Sequence, residues 1–165
     1  MTLEYQIIDS PLGKLKLVAR DTKLVAILWE YERKNRVRLG AMSEAGDNPV
    51  LLETARQLQE YFAGKRTRFD LELSFDGTPF QKQVWKALLA IPFGEKRTYR
   101  DIAMLVGNGR ATRAVGAAIG RNPLSIVAPC HRVIGSSGKL TGFAGGLPNK
   151  ARLLATEARP AVDSD

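Results

Sequence analysis

Residues 98–120 read TYRDIAMLVGNGRATRAVGAAIG. Thr98 followed three residues later by Asp101 has the form of a capping box, in which each side chain satisfies the other's orphan backbone N–H. A short helix is therefore expected from there to about Val106. Gly107-Asn108-Gly109 is a turn signal, and a second helix is expected at about Ala111 to Gly120. Two short helices joined by a tight glycine turn are the pattern of a helix-turn-helix, the second helix lying on nucleic acid. That second helix is rich in small residues (Ala111, Ala114, Gly116, Ala117, Ala118, Gly120), which would let its backbone sit deep in a groove. The pattern does not by itself imply a ligand, because many helical hairpins bind nothing.

On the C-terminal side the chain's only cysteine and only histidine are adjacent, in Ile126-Val-Ala-Pro-Cys130-His131-Arg132-Val-Ile134. A free thiol titrates near ~8.5 and needs a base or a positive field to populate the thiolate. His131 and Arg132 could supply both. In an extended segment successive side chains point to opposite faces, so a bridging water is one way to connect Cys130 with His131. The same residues also fit a buried cysteine in an apolar strand beside a solvent-facing histidine. Arg121-Asn-Pro123 and Gly135-Ser-Ser-Gly138 are turn signals, and Thr141-Gly-Phe-Ala-Gly-Gly146 is a loop whose glycines let backbone approach a ligand. Leu147 to Ala158 has the period of a helix with Leu153 and Leu154 inward. Glu157 is its only acid, and by itself reads as a solvated helix residue.

On the N-terminal side, Phe80, Val84, Ala87, Leu88 and Ile91 keep helical spacing after Thr78, and Pro92-Phe-Gly94 ends that helix. Phe69, Leu71, Leu73 and Phe75 alternate with polar residues as a half-buried strand would, and Asp76-Gly77-Thr78-Pro79 is a turn. From Asn48 to Phe62 the apolar positions predict a helix stopped by Gly64. Residues 3–8, 14–19 and 24–29 read as short strands, the first two separated by the turn Asp9–Gly13. The expected fold class is α/β (α+β), a sheet-and-helix part over residues 1–76 followed by a mainly helical part over 77–160. A frayed tail is expected at 161–165.

Residues 1–75 hold 12 Lys/Arg against 11 Asp/Glu, and residues 76–165 hold 13 against 6, so the net charge of +8 resides almost wholly in the second part. A basic half suggests a polyanionic partner, nucleic acid before a membrane surface. One cysteine excludes an internal disulfide, and one cysteine with one histidine cannot supply a structural zinc site. Neither metal nor cofactor is expected. With no long apolar run and no basic-then-apolar leader, a cytoplasmic location is expected.

Pro129-Cys130-His131-Arg132-Val133, preceded by Arg113-Ala-Val-Gly116 and Asn122-Pro123, resembles the signature of the O6-alkylguanine-DNA alkyltransferases. The likeness spans about residues 78 to 158. It includes Phe80-Gln-Lys-Gln-Val-Trp85, Ile91-Pro-Phe-Gly94, Thr98-Tyr99 and the Gly142-Phe-Ala-Gly-Gly-Leu147 loop. The N-terminal half is similar only in broad pattern. The resemblance implies an RNase H-like α/β domain followed by a winged-helix-like domain that carries the helix-turn-helix. It implies direct reversal of damage in double-stranded DNA, by a protein expected to be a monomer, through irreversible transfer of the alkyl group to Cys130.

By the same resemblance, His131 withdraws the thiol proton through a water and Glu157 orients His131. Tyr99 crowds the target phosphate and donates to the guanine ring, and Asn122 is the hinge after the recognition helix. Arg113 fills the space left by the flipped base, with Thr112, Ala114 and Ala118 on the same DNA-binding helix. Its site is the minor groove, where readout is poor in sequence information. The Val133 carbonyl reads the guanine amino group. Phe143, Ala144 and Gly145 form the substrate loop, and Lys150 lies near the site. Many relatives have Tyr-Ser where this chain has Phe143-Ala144, so Ala144 has no hydroxyl for the guanine O6. Two other readings compete: a non-reactive lesion sensor of the alkyltransferase-like type, which replaces the acceptor cysteine, and a thiol hydrolase, whose usual signatures are missing.

Overall fold

The computed structural model describes residues 2–107, 109–138, 140 and 142–158. The expected tail at 161–165, like Asn108 in the glycine turn and Thr141 in the loop, lies outside them. The first three strands are β1 (Leu3–Ile8), β2 (Leu15–Arg20) and β3 (Lys23–Trp29), joined as antiparallel neighbours. Gly13 closes the first hairpin at φ +100°, where a side chain would be strained. A short strand, β4 (Met42–Glu44), pairs parallel to β1 and completes the order β3-β2-β1-β4. Its three residues carry no alternation, and the sequence gives no sign of it.

Helix α1 (Pro49–Phe62) begins where Asn48 accepts from Val50 N and Leu51 N, and Pro49 costs nothing at a position whose N–H has no helical partner. It lays Leu51, Leu58 and Tyr61 on Leu15, Leu17 and Ile27 of the sheet. The segment 69–75 is not the strand that its alternation predicts. Phe69, Leu71, Leu73 and Phe75 do pack on the core, but only Leu73 bridges, to Leu24, through two backbone hydrogen bonds. The outer edge of β3 is shared: a few residues on, Ile27 pairs instead with Leu124 and takes the Pro123 carbonyl at 2.8 Å. Neither segment has room for a ladder.

After Gly77 the chain turns helical. Helix α2 (Pro79–Leu89) starts on a capping box of Thr78 and Gln81. The two-residue strand β5 (Arg97–Thr98) leads into α3 (Tyr99–Leu105), which starts on the expected box of Thr98 and Asp101. Helix α4 (Thr112–Gly120) packs against α2, where the Trp85 indole N–H donates 2.8 Å to the Ala118 carbonyl. Ala118 is therefore a correction to the expected surface of this helix: it is buried with Val115 and Ile119, while Thr112, Arg113, Ala114 and Ala117 are exposed. Small residues along α4 serve close packing on α2 as well as an open outer face.

Cys130–Arg132 forms one turn of 3-10 helix and leads into β6 (Val133–Ile134), which pairs parallel to β5. The extended reading of 126–134 is thus overturned at its centre, because Arg132 N folds back onto the Pro129 carbonyl at 3.0 Å. Helix α5 (Leu147–Glu157) closes the described chain. Leu124, Ile126, Val127, Ala128 and Leu153 belong to the core under the sheet, whereas Cys130 and Val133 belong to the core among α2, α3 and α4. The segment from Asn122 to Val133 runs along the seam of the two. Ile126 holds φ at +75° there, a conformation that a β-branched residue adopts only when its surroundings impose it.

Candidate active site

Asn122 is fully buried and closes the loop before the cysteine. Its Nδ2 donates to the Ala128 carbonyl at 2.9 Å, and its Oδ1 accepts from Leu124 N at 3.0 Å. Arg36, from the segment after β3, donates to the carbonyls of Gly120 (3.2 Å) and Asn122 (2.9 Å) while Glu32 holds it by two hydrogen bonds. It thereby satisfies carbonyls that the end of α4 leaves orphaned. The loop around Cys130 is fixed by buried polar bonds rather than by regular structure.

Cys130 lines a cleft of about 620 Å³. Arg113, Gly116, Ile119 and Gly120 of α4 form one wall of it, Gly142, Phe143 and Ala144 another, and Tyr99, Arg33 and Arg36 complete it. The glycine loop is pinned on Trp29. The Phe143 ring meets that indole edge-on at 5.4 Å, and a Cβ on Gly145 would come within 2.6 Å of it. The indole N–H is held by Ser125 Oγ at 3.1 Å. Lys150 is buried and donates from Nζ to the Val133 carbonyl at 2.7 Å. That carbonyl is the one expected to read a guanine amino group.

His131 is fully buried, not solvent-facing, and so is Glu157, not a solvated helix residue. His131 Nε2 lies 2.7 Å from Glu157 Oε2. Arg132 grips the same carboxylate, Nε to Oε1 at 2.7 Å and Nη2 to Oε2 at 2.9 Å, and Tyr61 from α1 donates its hydroxyl to Oε2 at 2.5 Å. Burial raises the Glu157 carboxyl, but the bonds from His131, Arg132 and Tyr61 outweigh it and hold the group well below its ordinary value. A carboxylate only accepts, so the imidazole proton sits on Nε2. Nδ1, which has no partner among the described residues, then presents its lone pair.

Burial also pushes His131 down, opposed by Glu157 and aided by the charges of Arg132 and Lys150, so the ring is neutral and able to take a proton. Burial pushes the Cys130 thiol up, against the Asn122 side chain and the positive fields of Arg36 and Lys150. No hydrogen bond joins Cys130 Sγ to His131 among the described residues. At rest the pair is a protonated thiol and a neutral base, and the thiolate forms on demand.

Sequence reasoning missed Arg36, Arg33 and Tyr61. The two arginines lie in the half of the chain whose charges nearly cancel, and Tyr61 fits the apolar face of its helix without remainder.

Comparison with known proteins identifies the family. Residues 3–75 match the ribonuclease-like domain of 6-O-methylguanine DNA methyltransferase, and residues 79–159 match its DNA binding domain. A methylated-DNA–protein-cysteine methyltransferase of Methanosarcina barkeri is 50% identical over 153 residues, 93% of this chain and 96% of that protein. Its counterpart in Mycolicibacterium paratuberculosis is 48% identical over 158 residues, 95% of this chain and 93% of that protein. The crystal structure of Mycobacterium tuberculosis OGT in complex with DNA superposes with a TM-score of 0.87 at 44% identity, covering 96% of each chain. The chain belongs to the 6-O-methylguanine DNA methyltransferase family. Among the described residues no helix is long and apolar enough to cross a membrane.

Proposed function

We propose that the chain reverses O6-alkylguanine damage directly. It binds duplex DNA through the minor groove, flips the damaged nucleotide into the Cys130 cleft and moves the alkyl group to sulfur. The observation that carries this reading is that a single cleft joins the acceptor thiol to the exposed, arginine-bearing face of α4. His131 takes the thiol proton at Nδ1 through one water, and Glu157 balances the imidazolium. The sulfur attacks the alkyl carbon. As the C–S bond forms, the C–O6 bond breaks and its electron pair passes to the guanine ring, where a hydrogen bond from Tyr99 neutralises the developing anion.

Arg113 occupies the vacated place in the stack, and Thr112 and Ala114 line the groove beside it. Asn122 holds the turn that presents Cys130. The Val133 carbonyl takes the guanine amino group, Lys150 orients that carbonyl, and Phe143, Ala144 and Gly145 cover the base. Without a side-chain hydroxyl at Ala144, the loop backbone N–H groups are the donors left for O6. The thioether has no easy hydrolysis route, so each molecule acts once, and the reaction as written uses no cofactor. We further infer a cytoplasmic monomer, divided into parts at 1–76 and 77–160.

The test is intact mass after mixing with an oligonucleotide that carries O6-methylguanine. Wild type gains one methyl on Cys130. Cys130→Ala gains none while retaining the DNA. Wild type that binds the lesion without gaining mass would make the protein a sensor.

A further inference from the structure

The mechanism leaves the hydrogen bond from Tyr61 to Glu157 unused, and it comes from the other part of the molecule. Tyr61 lies 96 positions before Glu157, on α1, and is 1% exposed. Its ring is set by Phe62, Phe69 and Phe93, with centroids 5.4 to 6.2 Å away. Its hydroxyl ends on Glu157 Oε2, the same oxygen that faces His131 Nε2. A phenol buried among aromatic rings needs a partner, but any carbonyl of the seam would have served. This one donates to the carboxylate that orients the base.

We propose that Tyr61 is a positioning residue of alkyl transfer, a donor from the N-terminal part that fixes the Glu157 carboxylate and sets the basicity of His131. This rests on the reading of Cys130 as alkyl acceptor. The phenol O–H and the imidazole share one oxygen. Whatever negative charge the phenol quenches is withdrawn from the imidazolium that forms when His131 takes the proton. The bond is therefore stronger while His131 is neutral, and it holds the ring in its base-competent form. The other charged groups facing this pair are Arg132 of the 3-10 turn and Lys150 of α5. Both stay in place when only the hydroxyl is removed. Burial and the neighbouring carboxylate keep the phenol protonated, so it is the donor to that carboxylate.

The chain contains a single histidine, so its imidazole signals need no assignment. The experiment titrates His131 by its nitrogen shifts in wild type and Tyr61→Phe, and records the pH profile of the reaction with the free base O6-benzylguanine. In Tyr61→Phe the midpoint of His131 and the acidic limb of the profile both move to higher pH, by about half a unit or more, the order of one hydrogen bond to a carboxylate. Replacing Tyr61 with 3,5-difluorotyrosine, a stronger donor of the same shape, moves both to lower pH. Phe69→Leu loosens the packing around the ring without touching the hydroxyl, and moves neither. Superimposable titrations in all four proteins overturn the proposal, as does an equal shift in Tyr61→Phe and Phe69→Leu. If Tyr61→Phe does not fold, the fluorinated protein alone decides by the direction of its shift. Failure of wild type to gain a methyl from the O6-methylguanine oligonucleotide would sink the alkyl-acceptor reading instead, and the nitrogen titration would still judge Tyr61.

Discussion

Arg132 and Glu157 form a buried two-point ion pair, with Nε on Oε1 at 2.7 Å and Nη2 on Oε2 at 2.9 Å. The remaining guanidinium nitrogen reaches the Ile91 carbonyl at 2.6 Å. Glu157→Gln leaves that guanidinium buried without its counter-ion, a loss of about 3–5 kcal/mol of stability when one partner of such a pair is removed. The carboxyl is depressed in the folded protein from an ordinary value of 4.5. Its stabilisation is therefore complete above that pH and drains away as pH falls further toward the folded value. Urea unfolding of wild type should weaken steadily below pH 4.5. Glu157→Gln should start lower and show a flatter dependence over the same window.

Lys150 places a positive charge near the thiol and favours its ionised form. Lys150→Met keeps the length of the side chain and removes the charge, so the Cys130 pKa rises. Each unit of that rise lowers the thiolate fraction at neutral pH about tenfold. Reaction with free O6-benzylguanine should slow at pH 7 and recover toward the wild-type rate as the pH is raised. A loss independent of pH would mean that the carbonyl contact with Val133, not the charge, is what counts.

Ala117 and Ala118 are neighbours on α4 with opposite duties, one exposed and the other 3% exposed beneath Trp85. Ala118→Leu should overpack the contact with α2 and cost about 1–3 kcal/mol in thermal unfolding. Ala117→Leu should leave stability nearly unchanged and weaken duplex binding, because the added bulk stands where the helix meets the groove. Fluorescence anisotropy with a labelled duplex and a melting curve on each variant separate the two effects.

Arg113 should matter only when there is a stack to refill. Flipping a base costs a few kcal/mol of stacking and pairing, and a side chain in the vacancy offsets part of it. Arg113→Ala should slow repair of O6-methylguanine in duplex DNA much more than it slows reaction with the free base O6-benzylguanine. An equal fractional loss on both substrates would remove the wedge role and leave only a field effect or a structural one.

Legibility of the sequence follows the range of the interactions. The capping boxes at Thr78 and Thr98 join residues three apart, and so do the helical periods of α1, α2 and α5, so local patterns reveal them. Strand β4 and segment 69–75 depend on which edge is free, which no local pattern records. At the site, Cys130 and His131 stand out by being unique. Glu157 looks solvated until Tyr61 and Arg132 are folded against it, and only the family likeness brings it forward. Arg36 illustrates the limit: its charge is lost in the balance of the N-terminal half, and its role exists only through carbonyls that lie 84 and 86 positions away.

The five groups that hold the Glu157 carboxylate come from places far apart in the chain: Tyr61, Gly94, His131 and two nitrogens of Arg132. Each of these bonds requires α5 to be docked on the rest of the fold. A nascent or partly unfolded chain therefore carries an ordinary cysteine and an ordinary histidine, with no prepared base beside the sulfur. Chemical competence therefore belongs to the assembled fold. Loosening α5 alone would thus disarm the histidine without altering it, because its partner carboxylate is held only by the assembled fold.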